Sequence, residues 1–144
     1  MRRLGLLVVV ALALSACGGS STADQGYDPA ASSAALTKAG WTAASGQGMS
    51  PLAGGKQLGW LDATSPAGVK VSLQFLESST RATEELAVIH NGAGDVKADP
   101  GFDGATIGNV LVFVRPNGHQ ALPAGVVESL GGLLVTPEQA GSRY

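Results

Sequence analysis

Cysteine is nearly absent from this sequence, since Cys17 is the only one in 144 residues. A lone cysteine cannot form an intramolecular disulfide, nor can it supply the paired thiolates of a Cys-ligated zinc site. The two histidines, His90 and His119, are far apart in the chain and make no zinc motif. We therefore expect the fold to depend on its hydrophobic core, with no metal and no cofactor.

Clusters of basic residues are also missing. The chain has nine Lys and Arg residues against eleven Asp and Glu residues, which gives a formal net charge of −2. Proteins that bind nucleic acid neutralise phosphates with clustered Lys and Arg side chains. The sequence therefore predicts no nucleic-acid partner.

The apolar run near the start of the chain is too short to span a membrane. It extends from Leu4 to Leu14, about half of the roughly 20 residues that a transmembrane helix needs. The basic pair Arg2-Arg3 precedes it, and the small residues Ser15 and Ala16 follow it. This order of a basic, an apolar and a small-residue zone is typical of a secretory signal peptide.

The end of this segment resembles a lipobox. Leu14 is too large for the third position before an ordinary cleavage site, whereas Leu14-Ser15-Ala16-Cys17 resembles the lipobox of bacterial lipoproteins. The chain is also similar in style to small lipoproteins of high-GC Gram-positive bacteria. The resemblance implies that residues 1–16 are a lipoprotein signal peptide and that Cys17 becomes the lipidated N-terminus.

The resemblance also implies a location. A diacyl anchor on Cys17 holds a protein firmly to a membrane, because two buried chains suffice where one binds only marginally. The membrane is then a partner through the lipid, and the domain faces outside the cytoplasm. Residues 17–26 are small and polar, which predicts a flexible tether.

Periodicity after the tether predicts one α+β domain over residues 27–136, followed by a frayed tail over 137–144. The patterns indicate, in order, a helix from Asp28 to about Gly40, strands over 56–64 and 69–77, a helix over 79–90, a strand over 107–114 and a helix from about Pro123. This α-β-β-α-β-α order predicts a small mixed or antiparallel sheet with helices mainly on one face. Residues 41–55 and 93–104 are expected to be loops.

Two strands differ in their patterns. The strand over 69–77 alternates, which predicts that Val71 and Leu73 face a core while Ser72 and Gln74 face solvent. The strand over 107–114 is apolar at nearly every position, which predicts cover on both of its faces.

Motifs for catalysis and phosphate binding are incomplete. The segment 48–52, Gly-Met-Ser-Pro-Leu, lacks the second glycine of a serine hydrolase elbow and has Pro51 where an oxyanion-hole amide is required. The segment 54–57, Gly-Gly-Lys-Gln, lacks the hydroxyl residue that binds magnesium in a P-loop. An enzyme would need a triad from scattered residues such as Ser50, His90 and Asp103, so we predict that the chain is not an enzyme.

Acidic residues make no recognisable site either. Asp95, Asp99 and Asp103 are four positions apart, whereas a calcium loop places its ligands at every second position. Glu84 and Glu85 are adjacent on a predicted helix and diverge, so they cannot flank one substrate bond. Glu85 is expected to face Arg81 across solvent.

Large aromatic side chains are the remaining candidates for a site. Trp41, Trp60 and Phe102 lie in loops or on a strand and could converge at one end of the sheet as a contact surface, with core or loop-anchor roles as the alternative. Two functions stay open. One is a non-enzymatic module that binds an envelope protein or another envelope component; the other is a small-ligand carrier or sensor with an apolar pocket between sheet and helices.

Overall fold

The computed structural model describes residues 26–46 and 48–141, which form a five-stranded antiparallel sheet with helices packed against it. The strand order in the sheet is β1-β2-β3-β5-β4. The elements are α1 (Pro29–Lys38), β1 (Thr42–Ser45), β2 (Gln57–Thr64), β3 (Lys70–Leu76), α2 (Ser79–Asn91), β4 (Gly104–Ile107), β5 (Val110–Val114), α3 (Ala124–Leu133) and α4 (Pro137–Gly141). The predicted signal peptide, the lipobox and Cys17 lie outside the described residues.

The predicted α+β class is confirmed. Helix α1 begins as expected, because the Asp28 side chain accepts the Ala31 N–H at 2.8 Å and Pro29 occupies the first turn. Helix α2, predicted over 79–90, is capped by Ser78, whose side chain accepts the Arg81 N–H. Strands β2 and β3 form the expected hairpin around a turn at residues 65–68, where Gly68 has a φ of +92°.

One face of the sheet, here the first face, carries a closed and mostly aliphatic hydrophobic core. Its strand residues alternate with those of the opposite face and pack against α1 and α3 through Leu36, Leu130 and Leu134. The first-face strand residues are Leu61, Ala63, Val71, Leu73, Phe75, Val110 and Val112.

The other face, here the second face, is covered by α2. Its strand residues are Trp60, Asp62, Ser72, Gln74, Leu111 and Phe113. Helix α2 packs on this face through Leu86 and Ile89, so the helices lie on both faces and not mainly on one. The physical reason is β5, whose five residues are all buried: an apolar strand of this kind needs cover on each side.

Three further elements differ from the expectation. Residues 42–45, predicted as loop, form the edge strand β1 by backbone pairing with β2, although their small side chains show no apolar alternation. The single strand predicted over 107–114 is a hairpin, since β4 and β5 pair around Gly108 and Asn109. Helix α3 continues through Gly131 and Gly132, and the predicted frayed tail contains α4.

The start of the described chain is fixed to the sheet by a buried amide. Asn109 is fully buried; its Oδ1 accepts the Tyr27 N–H at 2.6 Å, and its Nδ2 donates to the carbonyls of Leu76 and Tyr27. These bonds satisfy the whole side chain. Over the ranges described, no helix combines the length and the apolar character that crossing a membrane requires.

Candidate functional site

A groove of about 460 Å³ lies on the second face, between the sheet and α2, and we call it the Trp60 groove. Trp60, Leu111 and Phe113 of the sheet form its floor, and Ile89 of α2 contributes to its wall. The residues that line it are Gly48, Met49, Ser50, Leu52, Trp60, Gln74, Glu85, Ile89, Val96, Lys97, Asp99, Phe102, Leu111, Phe113, Pro116 and Asn117. Volumes of about 300–1,000 Å³ are typical of small-molecule sites.

Aromatic rings form a single row along the groove. The ring centroids of Trp60 and Phe113 are 5.8 Å apart with planes at 74°, and those of Phe113 and Phe102 are 5.2 Å apart with planes at 57°. Edge and tilted contacts of this kind are favourable between rings. The row gives the groove an aromatic surface.

The segment that follows β1 passes very close to Trp60. A Cβ atom added to Gly48 would overlap the indole ring, and one added to Gly46 would overlap both that ring and the Asp62 carboxylate. Neither glycine has a positive φ, so close approach alone requires glycine at these positions. After Gly48 the chain forms one lip of the groove, where Met49 is 69% exposed and Leu52 is 41% exposed.

Glu85 holds this lip against α2. Its side chain is buried, and its two carboxylate oxygens accept the backbone N–H groups of Leu52 at 2.9 Å and Ala53 at 2.7 Å. Gln74 Nε2 donates to Glu85 Oε2 at 3.4 Å and to Gln57 Oε1 at 2.9 Å. The expectation that Glu85 faces Arg81 is therefore wrong.

Arg81 instead contacts two exposed carboxylates. It pairs with Glu77 and Glu84, each at 3.1 Å. Glu85 lies on the side of α2 that faces the sheet, next to buried Ala82, because residues three apart share a helix face. Adjacent glutamates thus have opposite environments.

Ser72 and Gln74 are buried and do not face solvent as predicted, since each is only 3% exposed. Ser72 Oγ donates to Asp62 Oδ1 at 3.1 Å, and the Trp60 indole N–H donates to the same oxygen at 3.1 Å. Alternation correctly placed these residues opposite the core of the first face. It could not show that a helix and a loop cover them there.

A basic depression adjoins the groove, with Trp60 and Pro116 lining both. It is formed by Asp62, Lys70, Ser72 and Arg115 together with those two residues. Arg115 Nη2 donates to Thr64 Oγ1 at 3.4 Å, and Arg115 Nη1 lies 4.0 Å from Asp62 Oδ2. Arg115 Nε is buried and makes no hydrogen bond among the described residues.

The structure brings together two of the three predicted binding residues. Trp60 and Phe102 both line the groove, with Phe113 between them. Trp41 is 6% exposed and packs in the core of the first face, so it does not join them. Cys17, the predicted lipidation site, lies in the segment before Gly26 that the structure does not describe.

The scattered polar residues considered for catalysis have separate partners. His90 Nε2 lies 2.7 Å from the Phe102 carbonyl oxygen, whereas Asp103 Oδ2 accepts the Leu122 N–H at 2.7 Å. Ser50 lines the groove, which neither His90 nor Asp103 lines. The described residues therefore do not assemble these three into a hydrogen-bonded triad.

The acidic loop does not assemble ligands for a cation. Asp99 Oδ2 lies 2.7 Å from His119 Nε2 in an exposed pair, and Asp103 is engaged with Leu122. Residues 26–46 and 48–141 contain no group of three or more His, Cys, Asp or Glu side chains placed to hold a metal ion.

Comparisons of the chain with protein-family models, with curated proteins and with solved structures found no match. Function must therefore be inferred from the groove. Sequence reasoning missed Glu85 of the groove and Arg115 of the adjoining depression. The only signal for Glu85 was its place three residues after Ala82, on the apolar side of α2, and no pattern pointed to Arg115.

Proposed function

We propose that this chain is a lipid-anchored envelope lipoprotein whose domain binds an apolar ligand in the Trp60 groove, as a carrier or sensor. The observation that supports ligand binding is the groove itself, a concave apolar surface between sheet and helix that the side chains of the domain leave unfilled. Ligand sites are commonly apolar clefts with a few placed polar groups. Here Gln74 and Glu85 are such groups.

The two faces of the sheet support this function by contrast. Tight packing fills the first face, where Val71, Leu73 and Phe75 are fully buried. On the second face, Trp60 remains partly exposed next to an open volume. Apolar surface that stays open in a folded domain often marks a contact site.

The two tryptophans allow a direct test of ligand binding. Trp41→Phe leaves Trp60 as the only tryptophan, and Trp60→Phe leaves Trp41. We expect a fatty acid brominated along its chain, a contact quencher of indole fluorescence, to quench Trp60 in the full-length Trp41→Phe protein. The Trp60→Phe protein is the matched control, because Trp41 lies on the opposite face. Equal quenching of both tryptophans, or none of either, would contradict binding in the groove.

The anchor has its own test. We expect Cys17→Ala to abolish incorporation of labelled acyl chains and to release the protein from the membrane fraction, because the tether carries no basic cluster to hold it there. Retention of Cys17→Ala in the detergent-soluble membrane fraction, at the level of the unchanged chain, would overturn the anchoring proposal.

A second candidate function is binding of an envelope protein or another envelope component through the lip of the groove. The exposure of Met49 and Leu52 side by side with the groove favours it, since flexible methionine side chains adapt to varied partners. Pull-down from envelope extract with the full-length protein tests it. Met49→Ser with Leu52→Ser should lose any specific partner, and enrichment that both substitutions leave unchanged would exclude this surface.

A further inference from the structure

We infer that the ligand of the Trp60 groove is an amphiphile with an apolar chain and an anionic head group, bound with its chain along the aromatic row and its head at Arg115. The inference rests on the proposed function, and it adds the chemical class and the orientation of the ligand. It follows from the basic depression at one end of the groove.

The depression and the groove share a boundary. Trp60 and Pro116 line both, so an apolar chain that lies in the groove along Phe113 and Trp60 ends next to the depression that contains Arg115. The apolar groove therefore leads to a cationic depression, just as the apolar chain of an amphiphile leads to its head group.

Arg115 retains hydrogen-bonding capacity for a head group. Its Nη1 lies 4.0 Å from the nearest Asp62 oxygen, beyond hydrogen-bonding distance, and the side chain is 30% exposed. The Nη groups of a guanidinium are planar N–H donors that bind the oxygens of a carboxylate or a phosphate.

The depression itself has an excess of positive charge, because it contains Lys70 and Arg115 and a single carboxylate, Asp62. Asp62 lies 4.0 Å from Arg115 Nη1, and the groove carboxylates are held within the domain, Glu85 by two backbone amides and Asp99 by His119. Lys97 of the groove and Lys70 of the depression, by contrast, form no ion pair among the residues described. This charge balance favours an anionic head over a cationic one.

Head-group variation on a constant chain tests the inference. Full-length Trp41→Phe protein in nanodiscs of neutral lipid is titrated with a brominated fatty acid, the corresponding fatty alcohol and the corresponding alkylammonium, and quenching of Trp60 is measured. The Trp60→Phe protein in the same discs is the control, because quenching of its remaining Trp41 reports partition of each probe into the lipid. We expect the acid to bind at least tenfold more tightly than the alcohol, and the ammonium to bind most weakly.

Substitutions identify the cation. Arg115→Gln should weaken binding of the acid about tenfold, as expected for the loss of charge-assisted hydrogen bonds, and leave the alcohol unchanged. Lys70→Gln, an exposed cation, should weaken it only about twofold to threefold. Lys38→Gln on α1, which packs on the first face, is the matched control and should have no effect. Thermal unfolding of each variant verifies that it folds.

The outcomes separate the two proposals. If acid and alcohol quench Trp60 equally and Arg115→Gln changes neither, the anionic head group is excluded while ligand binding in the groove stands. If no probe quenches Trp60 more than Trp41, both proposals fail. Both proposals are supported if the acid binds selectively and Arg115→Gln weakens that binding about tenfold while the variant unfolds at the same temperature.

Discussion

The two faces of one sheet have different tasks in this protein. The first face is filled by hydrophobic, mostly aliphatic side chains from β2, β3 and β5 and is covered by α1 and α3. The second face carries aromatic and polar side chains, and α2 covers only part of it. Because side chains alternate between the two faces of the same strands, the difference comes from the side chains that each face carries and from what packs on them.

A buried polar residue, Glu85, shows the physical consequence of the difference between the two faces. Among the residues described, the buried carboxylate of Glu85 has no cationic partner, and backbone N–H groups of the loop that forms the groove lip hold it. Burying a charged group is costly unless hydrogen bonds compensate it, so such a group specifies the loop position. The first face is expected to supply stability, whereas the second face defines the shape of a site.

The largest effect is expected on the first face. Leu73→Ala removes a fully buried side chain of the central strand and should lower the free energy of unfolding by about 2–5 kcal/mol. Met49→Ala, on the groove lip, is the matched control: it should change stability little and weaken binding of the apolar probe. Urea unfolding of the full-length proteins gives the free energy of unfolding, and quenching of Trp60 measures binding of the apolar probe. Equal losses of stability would remove the contrast between the faces.

The next effect concerns the two adjacent glutamates. Glu85→Gln should lower the free energy of unfolding by about 2 kcal/mol, because the amide NH₂ cannot accept one of the two N–H groups that the carboxylate accepts. Glu84→Gln removes only an exposed pair with Arg81 and should cost under about 0.5 kcal/mol. Hydrogen exchange at Leu52 and Ala53 should accelerate in the first variant alone. Unchanged exchange there would show that Glu85 does not hold the lip.

A smaller effect is expected where the chain crosses Trp60. Gly48→Ala places a Cβ atom into the indole ring, so either the loop or the ring must move, at a cost of about 1–2 kcal/mol. The fluorescence maximum of Trp60 in the Trp41→Phe background should shift, because its surroundings change. A stable protein with an unshifted maximum would contradict the close approach of Gly48.

The smallest effect has the opposite sign and belongs to the first face. Gly131→Ala in α3 meets no atom within 4 Å and requires no positive φ. Alanine in a helix should therefore raise the free energy of unfolding by about 0.5–1 kcal/mol. Urea unfolding of the Gly131→Ala protein, compared with that of the Gly48→Ala protein, measures this change. A loss of stability would mean that α3 depends on glycine at this position.

The regular elements with strong local signals could be predicted from the sequence. Asp28-Pro29 starts α1, the alternation after Gly68 gives β3, and the stripe of Ala82, Leu86 and Ile89 gives α2. Strand β1 could not be predicted, because its residues gain their conformation from pairing with β2 and have no apolar pattern of their own. Propensity is a weak guide to such an edge strand.

The candidate site was predictable only in part. Trp60 and Phe102 were proposed as a surface because large aromatics are few, and both line the groove. Trp41 was proposed on the same grounds but packs in the first-face core. No local pattern distinguishes the two tryptophans, because the face on which each lies depends on strand pairing and on how the chain returns to the sheet.

The sequence by itself determined the α+β class, the start of α1, the hairpin of β2 and β3, and the requirement that β5 be covered on both sides. These features depend on residues near each other in the chain, whose periodicity and capping act locally. Only the tertiary structure decided that α2 covers the second face, that Glu85 holds the loop at Leu52 and Ala53, and that Arg115 lies beside Trp60. Those contacts join distant parts of the chain. They are selected by the sum of the packing and desolvation free energies over the whole fold.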